Sequence, residues 1–262
     1  MSVPEQGSKS LSDDRGYAVM TYARCGSNWL AQLLGSTGLL GKPEHWFNGN
    51  GYHRRGETDY PLTPLGQLSI ANERGRSSNG LIGVKLSATR LDELSNFPWC
   101  STLQIGHFIH LVRADRLARA ISDVIAHQTN RYRSTSVGTV TPVYDRERIL
   151  NALTTQVIEE GRMRQYFAMN GIEPLELTYE ELAADPTASV QRIATFLAVP
   201  DPVRIDPEEI TLQTQRDATN AAWRDRFVAE LSAPDMFAPL THNRIGRLRR
   251  RFMATLTSGK WL

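Results

Sequence analysis

A five-residue segment near the start of the chain, RCGSN at positions 24–28, joins an apolar run to a helix-like pattern. Glycine at position 26 lets the backbone approach a ligand closely, and the first N–H groups of a helix have no partners within it. Those groups and the helix dipole favour an anion, to which Arg24 adds a positive charge and Ser27 and Asn28 add polar side chains. The segment therefore predicts a loop that holds an anion, as phosphate-binding loops do. The alternative is an ordinary strand-to-helix turn that Ser27 caps.

A second anion-binding pair occurs in the segment LVRADRLARAIS. Arg113 falls where a strand is predicted to end, and Ser122 lies nine positions later in the next predicted helix. A guanidinium can hold a phosphate through two parallel hydrogen bonds, and a nearby hydroxyl can bind the same group. In the alternative reading, Arg113 pairs with Asp115 and Ser122 bonds to its own helix backbone.

Two further segments carry groups that could move or stabilise charge. GLLGKPEHWFN contains Glu44 and His45, either of which could accept a proton, and histidine titrates near neutrality. GVKL places Lys85 at the end of a predicted strand, where it would face either a site or solvent.

Composition narrows the class of protein. A chain of 262 residues with 40% hydrophobic residues favours one domain with a single main core, here expected at 16–262 after a flexible tail at 1–15. A net charge of +2 argues against a dedicated nucleic-acid binder. Cys25 and Cys100 form neither a disulfide framework nor a metal-binding pattern. With a polar N-terminus and no long apolar run, these features predict a cytoplasmic protein without integral membrane association.

Periodicity predicts alternating strands and helices. The strands are expected at 17–22, 81–86, 107–112 and within 171–177; the helices are expected at 28–36, 115–127, 146–169 and 188–197. The interval 48–79 is predicted to be an irregular insertion, and 242–262 forms a basic C-terminal segment. This order indicates an α/β fold with a central, mostly parallel sheet flanked by helices. Ligands of such sheets bind beyond the carboxyl ends of the strands, which would bring together the loops at Arg24, Lys85 and Arg113.

Taken together, these segments resemble the Stf0-type sulfotransferases, a bacterial family of carbohydrate sulfotransferases. The resemblance covers about residues 17–227 and follows the order of the motifs along the chain. The matching segments are YARCGSNWLAQLL, TGLLGKPEHWF, GVKL, IHLVRADRLARAIS, AHQTNRY, IEPLELTYEELAADPTASVQRIATFL and QTQRDATNAAWRDRF. The resemblance implies a P-loop-like three-layer fold.

The resemblance also implies a donor, 3′-phosphoadenosine 5′-phosphosulfate (PAPS), a product, the adenosine bisphosphate PAP, and no metal. No phosphoryl group moves in this reaction, which agrees with the missing lysine of nucleotide triphosphatase loops. The residues implied to bind the 5′-phosphosulfate are Arg24, Cys25, Gly26, Ser27, Asn28 and Trp29. Arg113 and Ser122 are implied for the 3′-phosphate, and Gln215 and Arg216 for the neighbourhood of the adenine. Cys25 and Asn28 replace the serine and threonine that the family commonly has.

The family precedent implies an acceptor hydroxyl on a sugar, a glycolipid or a glycosylated natural product. One family member uses a glutamate as base in the loop after the first helix, and His45 aligns with it when Gly41 and Pro43 are matched, with Glu44 one position earlier. Arg24 and Lys85 would stabilise the charge that develops during transfer. The residues expected on the acceptor side are His45, His53, Lys85, Gln128, Thr129 and Tyr132.

Two other classes of function remain open from the sequence. A small-molecule kinase would need a Gly-Lys-Ser/Thr loop and a magnesium-binding aspartate, neither of which is apparent. A non-catalytic nucleotide-binding protein is the other class. The basic run RIGRLRRR at 244–251 could attract an anionic membrane surface or form a solvated helix face. A homodimer is implied by the family resemblance alone.

Overall fold

The fold is taken from a computed structural model of the chain, which describes residues 16–130, 140–200, 202–212 and 218–231. Several sequence predictions lie outside the described residues. They are the tail at 1–15, the segment 242–262, Tyr132, Gln215 and Arg216.

Four parallel strands form the central sheet, in the order β2-β1-β3-β4. They are β1 (Gly16–Thr21), β2 (Ile82–Leu86), β3 (Ile105–Val112) and β4 (Leu175–Thr178). Every residue of β1 and β2 is buried, as expected for strands covered on both faces. The predicted α/β class with a parallel sheet is confirmed. Because all four strands run the same way, the loops that follow them meet at one edge of the sheet.

Helices occupy both faces of this sheet. They are α1 (Ser27–Ser36), α2 (Gly49–His53), α3 (Pro64–Arg74), α4 (Ala88–Leu94), α5 (Trp99–Thr102), α6 (Arg116–Thr129), α7 (Arg146–Asn170), α8 (Tyr179–Ala184), α9 (Pro186–Phe196) and α10 (Ala218–Leu231), with a short 3₁₀ helix at Pro207–Glu209. On β3 the ring of His107 contacts Phe196, whereas the ring of Phe108 contacts Phe167. Successive strand residues point to opposite faces, so α9 and α7 lie on opposite sides of the sheet.

The prediction that 48–79 is an irregular insertion is wrong in part, because this interval contains α2 and α3. Thr63 caps α3 by accepting a hydrogen bond from the Gly66 N–H, and Pro64 occupies the first helical position, where its missing N–H costs nothing. Leu68 and Ala71 are buried. The glycines and prolines that suggested irregular chain are in part helix-start residues.

The hydrophobic core has two parts. The larger surrounds the sheet, and the smaller lies among α6, α7 and α10, where it includes Ile121 and Trp223. The 25-residue helix α7, about 37 Å long, supplies Ile149 to the smaller part and Met163 and Phe167 to the larger. The middle of α7 therefore crosses between the two parts, level with the loop after β1. Among the described residues, no helix is long and apolar enough to cross a membrane.

Candidate active site

The loop between β1 and α1 has the backbone of an anion-binding turn. Arg24 and Gly26 have φ angles of 63° and 78°, in the left-handed region. Gly26 is the N-cap of α1 and makes no side-chain cap hydrogen bond, so the alternative in which Ser27 caps the helix is wrong. The first in-helix bond runs from the Leu30 N–H to the Gly26 carbonyl, which leaves the three preceding N–H groups without intrahelical partners. Those groups can hold an anion.

An aromatic ring lies directly against this turn. A Cβ added to Gly26 would come within 2.7 Å of Cδ2 of Tyr179, the first residue of α8. The guanidinium carbon of Arg113 lies 4.7 Å from the centre of the same ring. Sequence reasoning missed Tyr179, although its position directly after the carboxyl end of β4 was an available signal.

Lys85 points inward from the end of β2 and is only 1% exposed. Its Nζ donates hydrogen bonds to Asn28 Oδ1 at 2.7 Å and to the Ser27 carbonyl at 3.3 Å. The solvent-facing alternative for Lys85 is therefore wrong. The ammonium lies at the first turn of α1, and Asn28 is a direct partner of the lysine.

Arg24 Nε donates to Ser122 Oγ at 2.9 Å, and Arg113 NH1 donates to the Arg24 carbonyl at 3.4 Å. The alternative pairing of Arg113 with Asp115 is not what the structure shows: Asp115 caps α6 and binds Arg224 of α10 at 2.6 Å. Although partial burial acts to raise the pKa of Asp115, the hydrogen bond from Arg224 lowers it overall.

Arg113 Nε is buried and has no hydrogen-bond partner among the described residues. This buried N–H donor lies near the N-terminus of α1, whose first N–H groups have no partners within the helix. Such an arrangement fits a site that an anionic ligand completes. Arg113, Ser122 and the 24–28 loop are thus brought together as the sequence predicted, and their roles toward a donor remain predictions.

The segment with Glu44 and His45 lies alongside β2. Glu44 forms a parallel bridge with Val84, and the Lys85 N–H donates to the Glu44 carbonyl at 3.1 Å. Gly83 and Lys85 are two positions apart on β2 and therefore face the same side of the sheet. A Cβ added to Gly83 would lie 3.1 Å from Pro43 Cβ, so Pro43 packs on that side.

Three buried aromatic rings support this segment, and sequence reasoning missed them. The Trp46 indole N–H donates to the Lys42 carbonyl at 2.9 Å and the Gly83 carbonyl at 3.2 Å. Tyr52 and Tyr60 stack with ring centres 3.8 Å apart, and the Tyr60 hydroxyl donates to the Trp46 carbonyl at 2.5 Å. The stack joins α2 to the backbone beside His45.

Cys25 lies in the loop with its side chain fully buried. Burial raises the pKa of its thiol to about 11. The thiol is therefore neutral near pH 7, and the role of Cys25 toward the donor remains a prediction.

Three of the predicted acceptor-side residues, Gln128, Thr129 and His53, form hydrogen bonds away from the 24–28 loop. The Gln128 side chain exchanges two hydrogen bonds with the Val143 backbone, at 2.8 and 2.7 Å. Thr129 donates to the Ile125 carbonyl of its own helix, and His53 Nε2 lies 2.7 Å from the Tyr60 carbonyl. Gln128 is six residues beyond Ser122 along α6, about 9 Å. Their acceptor role remains a prediction.

No three His, Cys, Asp or Glu side chains cluster as a metal site in the part of the chain that the structure describes. The site instead combines a glycine turn at a helix N-terminus, a buried lysine and two arginines, at the carboxyl edge of a parallel sheet. These features define an α/β fold whose first strand-to-helix loop is suited to an anionic ligand.

Comparison with known families supplies the class of reaction. The Stf0 sulphotransferase family model matches residues 16–230. The chain belongs to the Stf0 sulfotransferase family, and its enzymatic activity is sulfuryl transfer.

Two known proteins are similar to this chain. A trehalose 2-sulfotransferase of Mycobacterium tuberculosis (strain ATCC 35801 / TMC 107 / Erdman) is 26% identical over an alignment of 270 residues. The match covers 86% of this chain and 98% of that protein. A solved sulfotransferase domain from the Synechococcus PCC 7002 olefin synthase is 15% identical, with coverage of 95% of this chain and 97% of that domain and a TM-score of 0.40.

Proposed function

We propose that this sulfotransferase uses PAPS as donor and sulfates a hydroxyl of a carbohydrate-type acceptor, releasing PAP. The observation that carries the proposal is the arrangement around the 24–28 loop. The Lys85 ammonium lies at the N-terminus of α1, Ser122 accepts a hydrogen bond from Arg24 Nε, and Arg113 donates to the Arg24 carbonyl. A donor with two separate anionic ends suits this arrangement.

In the reaction, an acceptor oxygen forms a bond to sulfur while the bond from sulfur to the bridging 5′-phosphate oxygen breaks. Negative charge develops on the bridging oxygen and the sulfuryl oxygens. The N–H groups at the start of α1 and the Lys85 ammonium supply fixed positive potential for that charge. The bisphosphate leaves with the electron pair of the broken bond.

His45 is proposed to take the acceptor proton. Glu44 pairs with Val84 through a parallel bridge, so its side chain is expected on the face of Val84, opposite to that of Lys85. His45 follows Glu44 and is proposed to lie on the Lys85 face. Alternation along the bridge therefore favours His45 over Glu44 as the base.

The acceptor is proposed to be a sugar hydroxyl, free or on a glycolipid or glycosylated natural product. The related trehalose 2-sulfotransferase supports this class of acceptor. His53, Gln128, Thr129 and Tyr132 are retained as proposed acceptor-side residues. We further propose that the protein is cytoplasmic, which the presence of only two cysteines supports. We also propose that it forms a homodimer, which the family resemblance supports.

Calorimetry with PAP and with Mg-ATP tests the donor class. Binding of PAP without magnesium, with Mg-ATP weaker, supports the proposal; preference for Mg-ATP would support the kinase alternative. A panel of sugars, glycolipids and glycosylated natural products incubated with ³⁵S-labelled PAPS then tests the acceptor. Label transfer to a non-carbohydrate alcohol in preference to every sugar would contradict the acceptor class while leaving the donor assignment intact.

A further inference from the structure

We propose that Arg119 is a positioning residue for the donor loop, acting through the backbone at Ala23. This inference rests on the proposed function, since it assumes that the 24–28 loop binds PAPS. Arg119 belongs to the first turn of α6, and its side chain is 3% exposed.

Three contacts hold the Arg119 guanidinium. Nε donates to the Ala23 carbonyl at 2.9 Å, and NH2 donates to Glu159 Oε2 on α7 at 3.3 Å. The guanidinium carbon lies 4.8 Å from the ring centre of Tyr22. One buried side chain thus joins the end of β1, the donor loop and the middle of α7.

The contact with Ala23 matters because the next residue is strained. Arg24 has a φ of 63°, a left-handed conformation that non-glycine residues keep only where their surroundings enforce it. Arg119 holds the Ala23 carbonyl on one side of Arg24, and Arg113 holds the Arg24 carbonyl on the other. The two peptide planes that define the conformation of Arg24 are therefore each anchored by an arginine.

Those planes also aim two loop N–H groups. In a trans peptide the C=O and N–H bonds point in opposite directions. Fixing the Ala23 carbonyl toward Arg119 therefore directs the Arg24 N–H away from α6, and fixing the Arg24 carbonyl toward Arg113 sets the direction of the Cys25 N–H. Arg119 pre-orders the loop for an anion without touching it, which lowers the ordering cost of binding.

The geometry explains why a lysine would not replace Arg119. A guanidinium donates in two directions from a fixed plane and stacks on a ring, whereas an ammonium is a compact point charge. Glu159 supplies the counter-charge that a buried cation requires. Arg116, one turn earlier in sequence, pairs with Glu160 of the same helix α7 at 2.9 Å and is half exposed. It offers a matched ion pair between the same helices.

The test compares Arg119→Met and Arg119→Lys with the control Arg116→Met. Calorimetry with PAP gives the affinity, turnover of labelled PAPS gives kcat and the donor KM, and hydrogen exchange followed by mass spectrometry reports the amides of residues 22–26. Because the loop would then have to be ordered on binding, loss of one charge-assisted bond predicts about tenfold weaker PAP binding for Arg119→Met. Arg119→Lys is expected to lie between it and the wild type, and both are expected to show faster exchange in the loop.

Arg116→Met should lower the thermal midpoint of unfolding without weakening PAP binding or accelerating loop exchange. Equal PAP affinity in Arg119→Met and the wild type, or equal losses in Arg119→Met and Arg116→Met, would overturn the inference. If Arg119→Met does not fold, Glu159→Gln replaces it in the test. This variant is expected to bind PAP more weakly and to show faster exchange in the loop. Unchanged values for both would contradict the inference. A wild-type protein that does not bind PAP at all would instead refute the proposed function.

Discussion

Lys85 Nζ lies 2.7 Å from Asn28 Oδ1 and donates a hydrogen bond to it, joining the end of β2 to the first turn of α1. The lysine is almost fully buried, so this bond and the one to the Ser27 carbonyl offset part of the cost of burying its charge. The contact gives a physical role to Asn28, a position where the family commonly has threonine. The same contact holds the Lys85 ammonium at the first turn of α1.

Replacing Lys85 with methionine is expected to slow turnover more than it weakens binding. Removal of one preorganised donor of this kind lowers kcat by about 10²–10³-fold, and PAP affinity should change far less. The measurements are steady-state kinetics with labelled PAPS and calorimetry with PAP. Asn28→Thr, which keeps an oxygen acceptor for the lysine, is the control and should retain most of the activity. A Lys85→Met enzyme with wild-type kcat would remove Lys85 from the catalytic step.

His45→Ala should bind PAP normally and turn over at least about a hundredfold more slowly, because general-base help contributes on that scale. Glu44→Gln is the matched control, since the bridge with Val84 directs Glu44 to the other face. Its kcat is expected within a few-fold of the wild type. If Glu44→Gln is the slow enzyme and His45→Ala the fast one, the two roles are reversed.

Arg113→Ala should discriminate between two ligands that differ by one phosphate. The variant is expected to bind PAP about tenfold to a hundredfold more weakly, because it loses a charge-assisted contact with the 3′-phosphate. Its affinity for adenosine 5′-monophosphate, which lacks that group, should stay near the wild-type value. Calorimetry with both ligands makes the comparison, and equal losses for the two would place Arg113 elsewhere.

Gly26→Ala should destabilise the fold and weaken PAP binding. The new methyl group would meet the Tyr179 ring at 2.7 Å in a left-handed backbone, at an expected cost of about 1–3 kcal/mol. Gly38→Ala is the control, because Gly38 also has a positive φ, of 66°, but nothing lies within 4 Å of its added Cβ. Urea unfolding should show the smaller loss for Gly38→Ala, with unchanged PAP affinity; similar losses at both positions would exclude the clash with Tyr179.

Cys25 should be unreactive in the folded protein. Burial raises the pKa of its thiol from 9.0 to about 11, so iodoacetamide at pH 8 should label it slowly until urea unfolds the chain. A raised folded-state pKa gives a contribution to stability that is complete below about pH 9 and is lost as the pH rises toward 11.

Cys25→Ser should keep PAP binding, since the substitution leaves the backbone N–H groups of the loop in place. The free energy of unfolding should also fall less steeply between pH 9 and 10.5 in this variant than in the wild type. Rapid labelling of native Cys25, followed by mass spectrometry, would show that the thiol faces the site instead.

The alternation of apolar strands and amphipathic helices was sufficient to predict a parallel α/β fold, because burial on both faces leaves a continuous apolar run in each strand. Local patterns also predicted the glycine turn, and both Arg113 and Ser122 contact Arg24 at its start. The family is confirmed by the match over residues 16–230. The individual roles of the site residues stay predictions.

Tertiary structure alone decided the features that depend on contacts between distant segments. The inward direction of Lys85 depends on Asn28, 57 positions earlier, and the placement of Arg119 depends on Ala23, 96 positions earlier. The contact of Tyr179 with Gly26 likewise joins segments far apart in the chain. A sequence shows which residues can donate, accept or be buried, but partners far apart in the chain are chosen only when the whole core closes around them.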